Sequence, residues 1–131
     1  MCIFCKIIAG EIPAYKVYED DSVLAFLDIQ PVNPGHVLVV SKKHYKNLEE
    51  IPEDDLKILI VAVKTIGRLL KDKLGIDGYN ASTNNDPAAG QIIPHIHFHV
   101  IPRHAGDGHE SWSRGEYAPG EPEEIVKKLL S

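Results

Sequence analysis

Residues 94–102 read Pro94-His95-Ile96-His97-Phe98-His99-Val100-Ile101-Pro102, three histidines alternating with bulky apolar residues between two prolines. Strict alternation of this kind marks a β-strand, whose successive side chains point to opposite faces. The period of two sets the three imidazoles in one row, about 6.6 Å apart, and leaves Ile96, Phe98 and Val100 on the other face for a core. A row of ionisable rings adds nothing to packing, so it faces a site. Three of the seven histidines fall within five residues, which makes chance clustering on a surface strand a poor account. The fold has to supply a core on one side of this strand and a ligand site on the other.

The rest of the chain supports such a fold. At 131 residues, 44% apolar and 25% charged, it has the size and composition of one globular domain with a proper core. The net charge is −5 and no basic run exceeds Lys42-Lys43, which excludes a general nucleic-acid binder. No apolar run approaches the ~20 residues of a membrane span, and the N-terminus lacks a signal-peptide pattern. The expectation is a cytoplasmic protein with neither membrane nor nucleic acid as partner. In that reducing compartment Cys2 and Cys5 are metal ligands or redox groups rather than a structural disulfide.

Turn signals divide the chain into alternating elements. Gly10 stops a short helix over Ile3–Ala9. Strands at Val17–Glu19 and Val23–Leu27 flank an Asp20-Asp21 turn, and Pro31-Val32-Asn33-Pro34-Gly35 is a loop that delivers His36 to a strand over Val37–Val40. Leu56, Leu59, Ile60, Val63, Ile66, Leu70 and Leu74 recur at helical spacing, which predicts a long helix over Glu53–Leu74 stopped by Gly75. Ile58 and Val61 are assigned to a widened core face in preference to contact with a second subunit. A strand over Tyr79–Thr83 precedes the histidine strand. Residues 103–131 form a C-terminal arm that closes on a helix over Pro122–Leu130. Helices segregated from hairpin-linked strands predict an α+β fold with an antiparallel sheet.

Imidazoles that titrate near neutrality and act as nucleophiles suit phosphoryl or nucleotidyl transfer, one ring attacking while a neighbour bonds the leaving group or a phosphate oxygen. The competing reading is a catalytic zinc on His95, His97 and a third ligand. Upstream, Gly90 permits close backbone approach and Asn84 and Gln91 offer amide donors to a phosphate. His36 adds a fourth imidazole. Cys2-Ile3-Phe4-Cys5 is a chelating pair, with His44 and His95 as partners for a structural zinc; a redox pair is the alternative. His104 and His109 belong to the solvated arm.

These motifs resemble the histidine triad (HIT) family across nearly the whole chain. The resemblance rests on His95-Ile-His97-Phe-His99-Val-Ile, Cys2-Ile-Phe-Cys5-Lys6-Ile7, Leu27-Asp28-Ile29-Gln30-Pro31, Pro34-Gly35-His36-Val-Leu-Val-Val, Lys43-His44-Tyr45, Asp77-Gly78-Tyr79-Asn80 and Ala89-Gly90-Gln91. It implies a five-stranded antiparallel sheet with one long helix and a short N-terminal helix, a homodimer, and hydrolase or transferase action at the α-phosphate of purine nucleotides, AMP or GMP derivatives. The leaving group would be an amine or a second nucleotide. By the same resemblance, His97 is the nucleophile that forms a nucleotidyl-histidine, His99 contacts the phosphate and the departing group, and His36 supports them. Asp28 bonds the ribose, Phe4, Phe26 and Ile29 wall the base, and Asn84 and Gln91 lie on the phosphate side. His95 joins Cys2, Cys5 and His44 around a structural zinc, with no catalytic metal. Ile92-Ile93 departs from the pattern, since many relatives place Ser or Thr after the glutamine. That departure favours a second expectation, a nucleotide-binding scaffold with little activity.

Overall fold

The computed structural model describes residues 2–131. Its element order is α1 (Ile3–Ile8), β1 (Lys16–Glu19), β2 (Val23–Leu27), β3 (Val37–Ser41), α2 (Glu53–Leu74), β4 (Gly78–Ser82), a 3-10 turn (Pro87–Ala89), β5 (His97–Arg103) and α3 (Glu121–Leu130). The five strands form one sheet in the order β1-β2-β3-β5-β4, and every neighbouring pair is antiparallel.

Alternation along the three central strands divides the sheet into two faces. Val23, Ala25, Val37, Val39, Ile96, Phe98 and Val100 face α2 and pack with its Leu59, Ala62, Val63, Ile66 and Leu70. The intervening Leu24, Phe26, Leu38 and Val40 form a second cluster with Phe4 and Ile7 of α1. Apolar residues therefore run continuously through β2 and β3, because both faces of those strands are covered. On β5 the second face carries His97 and His99.

Local chemistry sets the ends of α2. Glu53, Asp54 and Asp55 occupy its first turn and Lys71 and Lys73 its last, the polarity that favours each charge near a helix terminus. Gly75 closes it in the left-handed region at φ 62°, its N–H donating to the Lys71 carbonyl at 3.2 Å.

The helical face differs in part from the one expected. Ile60 is 45% exposed and Leu74 55%, while Ala62 and Gly67 are buried. Gly67 lies so close to Tyr79 that an added Cβ would fall 2.3 Å from its ring, so the small residue lets α2 approach β4. Ile58 and Val61, expected to widen the core face, are 45% and 61% exposed and belong to the outer surface. The histidine strand also starts later than expected. His95 precedes β5, bent into place by its N–H on the Ile93 carbonyl at 2.8 Å and by Ile96 N–H on the Tyr45 carbonyl at 2.7 Å. Among the described residues, no helix is long and apolar enough to cross a membrane.

Candidate active site

A pocket of about 730 Å³ opens on the sheet face opposite α2, within the ~300–1,000 Å³ typical of small-ligand sites. Phe4 and Ile7 of α1 and Phe26 and Leu38 of the sheet form its apolar floor, while Asp28, Asn84, Gly90, His97 and His99 bring polar groups to the wall. Phe4 and Phe26 are both 4% exposed and meet edge to face at 5.6 Å. Ile29 and Ile92 stand at the rim, 82% and 92% exposed.

The hydrogen bonds fix which ring nitrogen carries each proton. A carbonyl only accepts, so the 2.7 Å contact of His97 Nδ1 with the His95 carbonyl places a proton on Nδ1 and leaves the Nε2 lone pair free for attack. At His36, the Val32 N–H donates to Nδ1 at 3.1 Å, so the proton sits on Nε2. That Nε2–H faces His99 Nδ1 at 2.9 Å, which makes Nδ1 the acceptor and puts the His99 proton on Nε2. Asp28 accepts from Gln30 N–H at 2.9 Å and comes within 3.7 Å of His36 Nε2. Burial pushes His36, His97 and His99 below the ordinary histidine value; for His99, with His97 and His36 as neighbours, the pKa falls to about 4. All three rings are therefore mainly neutral at pH 7, each with one N–H and one lone pair.

Asp28, His36 and His99 also bring three ligand-type atoms within 4.8 Å of one another. They do not suit a cation. Metal binding at His36 Nε2 would move its proton to Nδ1, where it would oppose the Val32 N–H.

A second cluster does suit a metal. His95, fully buried, donates from Nε2 to the Ser41 carbonyl at 2.7 Å and so turns the Nδ1 lone pair toward Cys2, Cys5 and His44. The six separations among these ligand atoms are 3.2 Å between the sulfurs, 3.1 Å between the nitrogens, and 3.3 or 3.6 Å for the four sulfur–nitrogen pairs. Zinc with bonds of about 2.0–2.3 Å sets tetrahedral ligand atoms roughly 3.3–3.8 Å apart, so the cage is slightly contracted but of the right shape. Two thiols, two imidazoles and a carbonyl behind one ring are the donor set and support of a structural zinc.

Sequence and structure disagree at one site residue. Gln91 is 8% exposed and donates both amide protons within the protein, to the Lys46 carbonyl at 2.7 Å and the Ile93 carbonyl at 3.1 Å, while its oxygen accepts from Asp86 N–H. It has no donor left for a phosphate and shapes the loop instead. Asn84 does line the pocket. The wall also includes Ile12, Pro13, Ala14 and Tyr15, which follow no periodic pattern that would have drawn notice in the sequence.

The profile of the HIT domain matches residues 9–106. The chain belongs to the HIT family. Among HIT relatives, an uncharacterised HIT-like protein of Methanocaldococcus jannaschii is 55% identical over 129 residues, 98% of each chain. An adenosine 5′-monophosphoramidase of Candida albicans is 44% identical over 106 residues, 78% of this chain and 70% of that one. An adenylylsulfatase of Arabidopsis thaliana is 44% identical over 106 residues, 81% of this chain and 54% of that one. The crystal structure of a HIT family member from Bacillus subtilis superposes with a TM-score of 0.89 at 42% identity, covering 98% of this chain and 94% of that one. A zinc-bound histidine triad protein from Mycobacterium smegmatis superposes at 0.80 with 34% identity, covering 98% and 95%. The HIT fold that the family resemblance implied is thus the fold observed.

Proposed function

We propose that this HIT protein hydrolyses nucleotide derivatives at the α-phosphate by way of a nucleotide bonded to His97. The observation that carries the reading is the free Nε2 of His97 at the pocket wall, its ring anchored behind by the bond from Nδ1 to the His95 carbonyl. A base stacks on the Phe4–Phe26 floor and the ribose hydroxyls meet Asp28. The α-phosphate lies between His97 and the Nε2–H of His99, with Asn84 beside it. His97 Nε2 bonds to phosphorus and the bond to the leaving group breaks, its electron pair going to the departing atom. Water then bonds to phosphorus as the bond to His97 breaks, its electron pair returning to Nε2 and the water's proton passing to solvent, and the nucleoside monophosphate is released.

His99 Nε2–H bonds the departing atom, and His36 holds His99 in that tautomer. Because His99 stays neutral, the favoured leaving groups take a proton from water or need none. A phosphoramidate fits the first class: as the P–N bond breaks its nitrogen takes a proton from water and leaves as an amine, the freed electron pair accepting from His99. An anhydride such as an adenylyl sulfate or a dinucleoside polyphosphate fits the second, leaving as an anion that accepts the same bond. The relatives that are an adenosine 5′-monophosphoramidase and an adenylylsulfatase support this choice.

Cys2, Cys5, His44 and His95 would hold a zinc, supplying structural support by fastening α1 to the turn before β5. A homodimer belongs to the same reading, since Ile58, Ile60 and Val61 leave apolar surface on α2 for a second copy; sedimentation velocity tests it.

The deciding experiment incubates the protein with adenosine 5′-phosphoramidate labelled in the nucleotide and quenches early. Label is expected on the wild-type protein and absent from His97→Ala, with turnover lost by several orders of magnitude. Undiminished turnover in that variant refutes the reading. Ile92, 92% exposed at the position where the family resemblance places a Ser or Thr, favours one alternative, a nucleotide-binding protein with little activity. Tight AMP binding without turnover of phosphoramidates, adenylyl sulfate or dinucleoside polyphosphates would establish it.

A further inference from the structure

The pairing of His36 with His99 is only as secure as the loop that carries His36. Val32 N–H sets the ring through Nδ1, and the Asn33 carbonyl accepts the His36 N–H at 3.1 Å. Yet Pro31, Val32 and Pro34 are exposed and give the loop little packing of its own. Beyond Gly35 against Leu74 and Pro102 and the Asp28 N–H on the His36 carbonyl, its polar tie to β5 is the Asn33 side chain, whose Nδ2 donates to the Pro102 carbonyl at 2.8 Å and to Asp107 at 3.0 Å. Asp107 is itself fixed. Arg103 grips it with Nε at 2.8 Å and an η nitrogen at 3.0 Å, and the N–H groups of His104 and His109 add 3.2 and 3.1 Å bonds. Arg103 also reaches Asn80 and the His109 carbonyl, at 2.8 and 2.7 Å. These bonds join β4, β5, the turn after β5 and the His36 loop. None of the three side chains lines the pocket.

We infer that Asn33, held by Asp107 and Arg103, is a positioning residue that fixes the His36 tautomer and through it aims the His99 Nε2–H at the departing atom. The inference rests on the proposed function for its consequence in catalysis. Without the Asn33 carboxamide the loop separates from β5 and Val32 N–H no longer enforces a lone pair on His36 Nδ1. His36 then samples both tautomers, and His99 is no longer held as an Nε2–H donor. That donor matters more as the departing atom carries more negative charge. With an aryl ester, His97 Nε2 bonds to phosphorus and the P–O bond breaks, its pair going to the aryl oxygen. The phenolate leaves under the His99 hydrogen bond and takes a proton from water. Loss of positioning therefore falls on poor leaving groups.

Two readouts test this. Nitrogen NMR of the protein labelled with 15N-histidine reports ring tautomers directly: His36 and His99 are expected as pure Nε2–H forms in the wild type and as mixtures in Asn33→Ala. Kinetics compare the 4-nitrophenyl and unsubstituted phenyl esters of AMP. Asn33→Ala is expected to slow the phenyl ester at least about tenfold and the 4-nitrophenyl ester less than about threefold. Asp107→Asn, which keeps the shape and an acceptor, should show a smaller change in the same direction. In a His99→Ala background the Asn33 change should add nothing. Unaltered ring nitrogens, or equal losses on both esters, overturn the inference while a dead His97→Ala leaves the catalytic reading standing. A His97→Ala variant still active on either ester refutes that reading and the catalytic inference with it, while a wild type that turns over adenosine 5′-phosphoramidate but neither ester overturns the catalytic inference alone.

Discussion

Three histidines on one sheet face do three different jobs because their partners differ. His95 gives its proton to Ser41 and turns a lone pair toward two thiols; His97 gives its proton to a neighbouring carbonyl and keeps a lone pair for the pocket; His99 receives a proton and offers one. The pH dependence follows. Burial lowers the His36, His97 and His99 values, to about 4 for His99, so the neutral, active forms persist on acidification. Measured as kcat/KM, which reports the free enzyme, activity is expected to fall on acidification with a midpoint below the ordinary histidine value of about 6.5; a midpoint at or above that value would contradict it. The sign for stability is the same. Unfolded histidines take up protons near pH 6.5 while the buried rings do so only at lower pH, so their contribution is present above that pH and is lost as the pH falls, toward about 4 for His99.

Between elements, the joint where the His36 loop meets α2 and β5 leaves least room for change. Gly35 has φ 94°, and a Cβ there would come 2.8 Å from Leu74 and 3.3 Å from Pro102. Gly35→Ala is therefore expected to destabilise by about 1–3 kcal/mol, read as a melting temperature several degrees lower; an unchanged melt would show that the loop relaxes freely. Much of this scale was legible in the sequence. The strands declared themselves because a sheet covered on both faces forces apolar residues at every β2 position and from Val37 to Val40 of β3 while β5 alternates, and α2 because its charges and Gly75 mark its ends. Its buried stripe was less legible, since Leu56 through Val63 is apolar nearly all round and Ile58, Ile60 and Val61 compete with Ala62 for the core. In the site, Asn84 and Gln91 carry the same chemistry in sequence. Only the loop between them, with Asp86 at φ 73°, decides that one faces the ligand and the other the protein. Asn33 and Asp107 are 74 residues apart and belong to no periodic pattern, so no local signal joins them.

At the scale of the whole molecule, the sheet, α1 and α2 form the body and the last segment stands off it. No residue of α3 is buried, and ten-residue helices are marginal alone. Deleting residues 119–131 is expected to change the stability of a monomer by no more than about 0.5 kcal/mol; a large drop, with loss of a sedimenting dimer, would show that a second copy covers the helix. The N-terminal end is the opposite case. Phe4 touches His95 at 5.9 Å and His97 at 5.0 Å between ring centroids, and on the same short helix Cys5 is one of the four side chains that could hold a metal. Chelation is expected first to lower the melting temperature and raise KM, with kcat falling later; an early collapse of kcat at constant KM would contradict this order. Phe4 thus works as a keystone shared by two rooms. If the cage holds zinc and the pocket a nucleotide as proposed, a cell starved of zinc would hold a copy whose His97 Nε2 is intact but whose grip on the nucleobase has slackened.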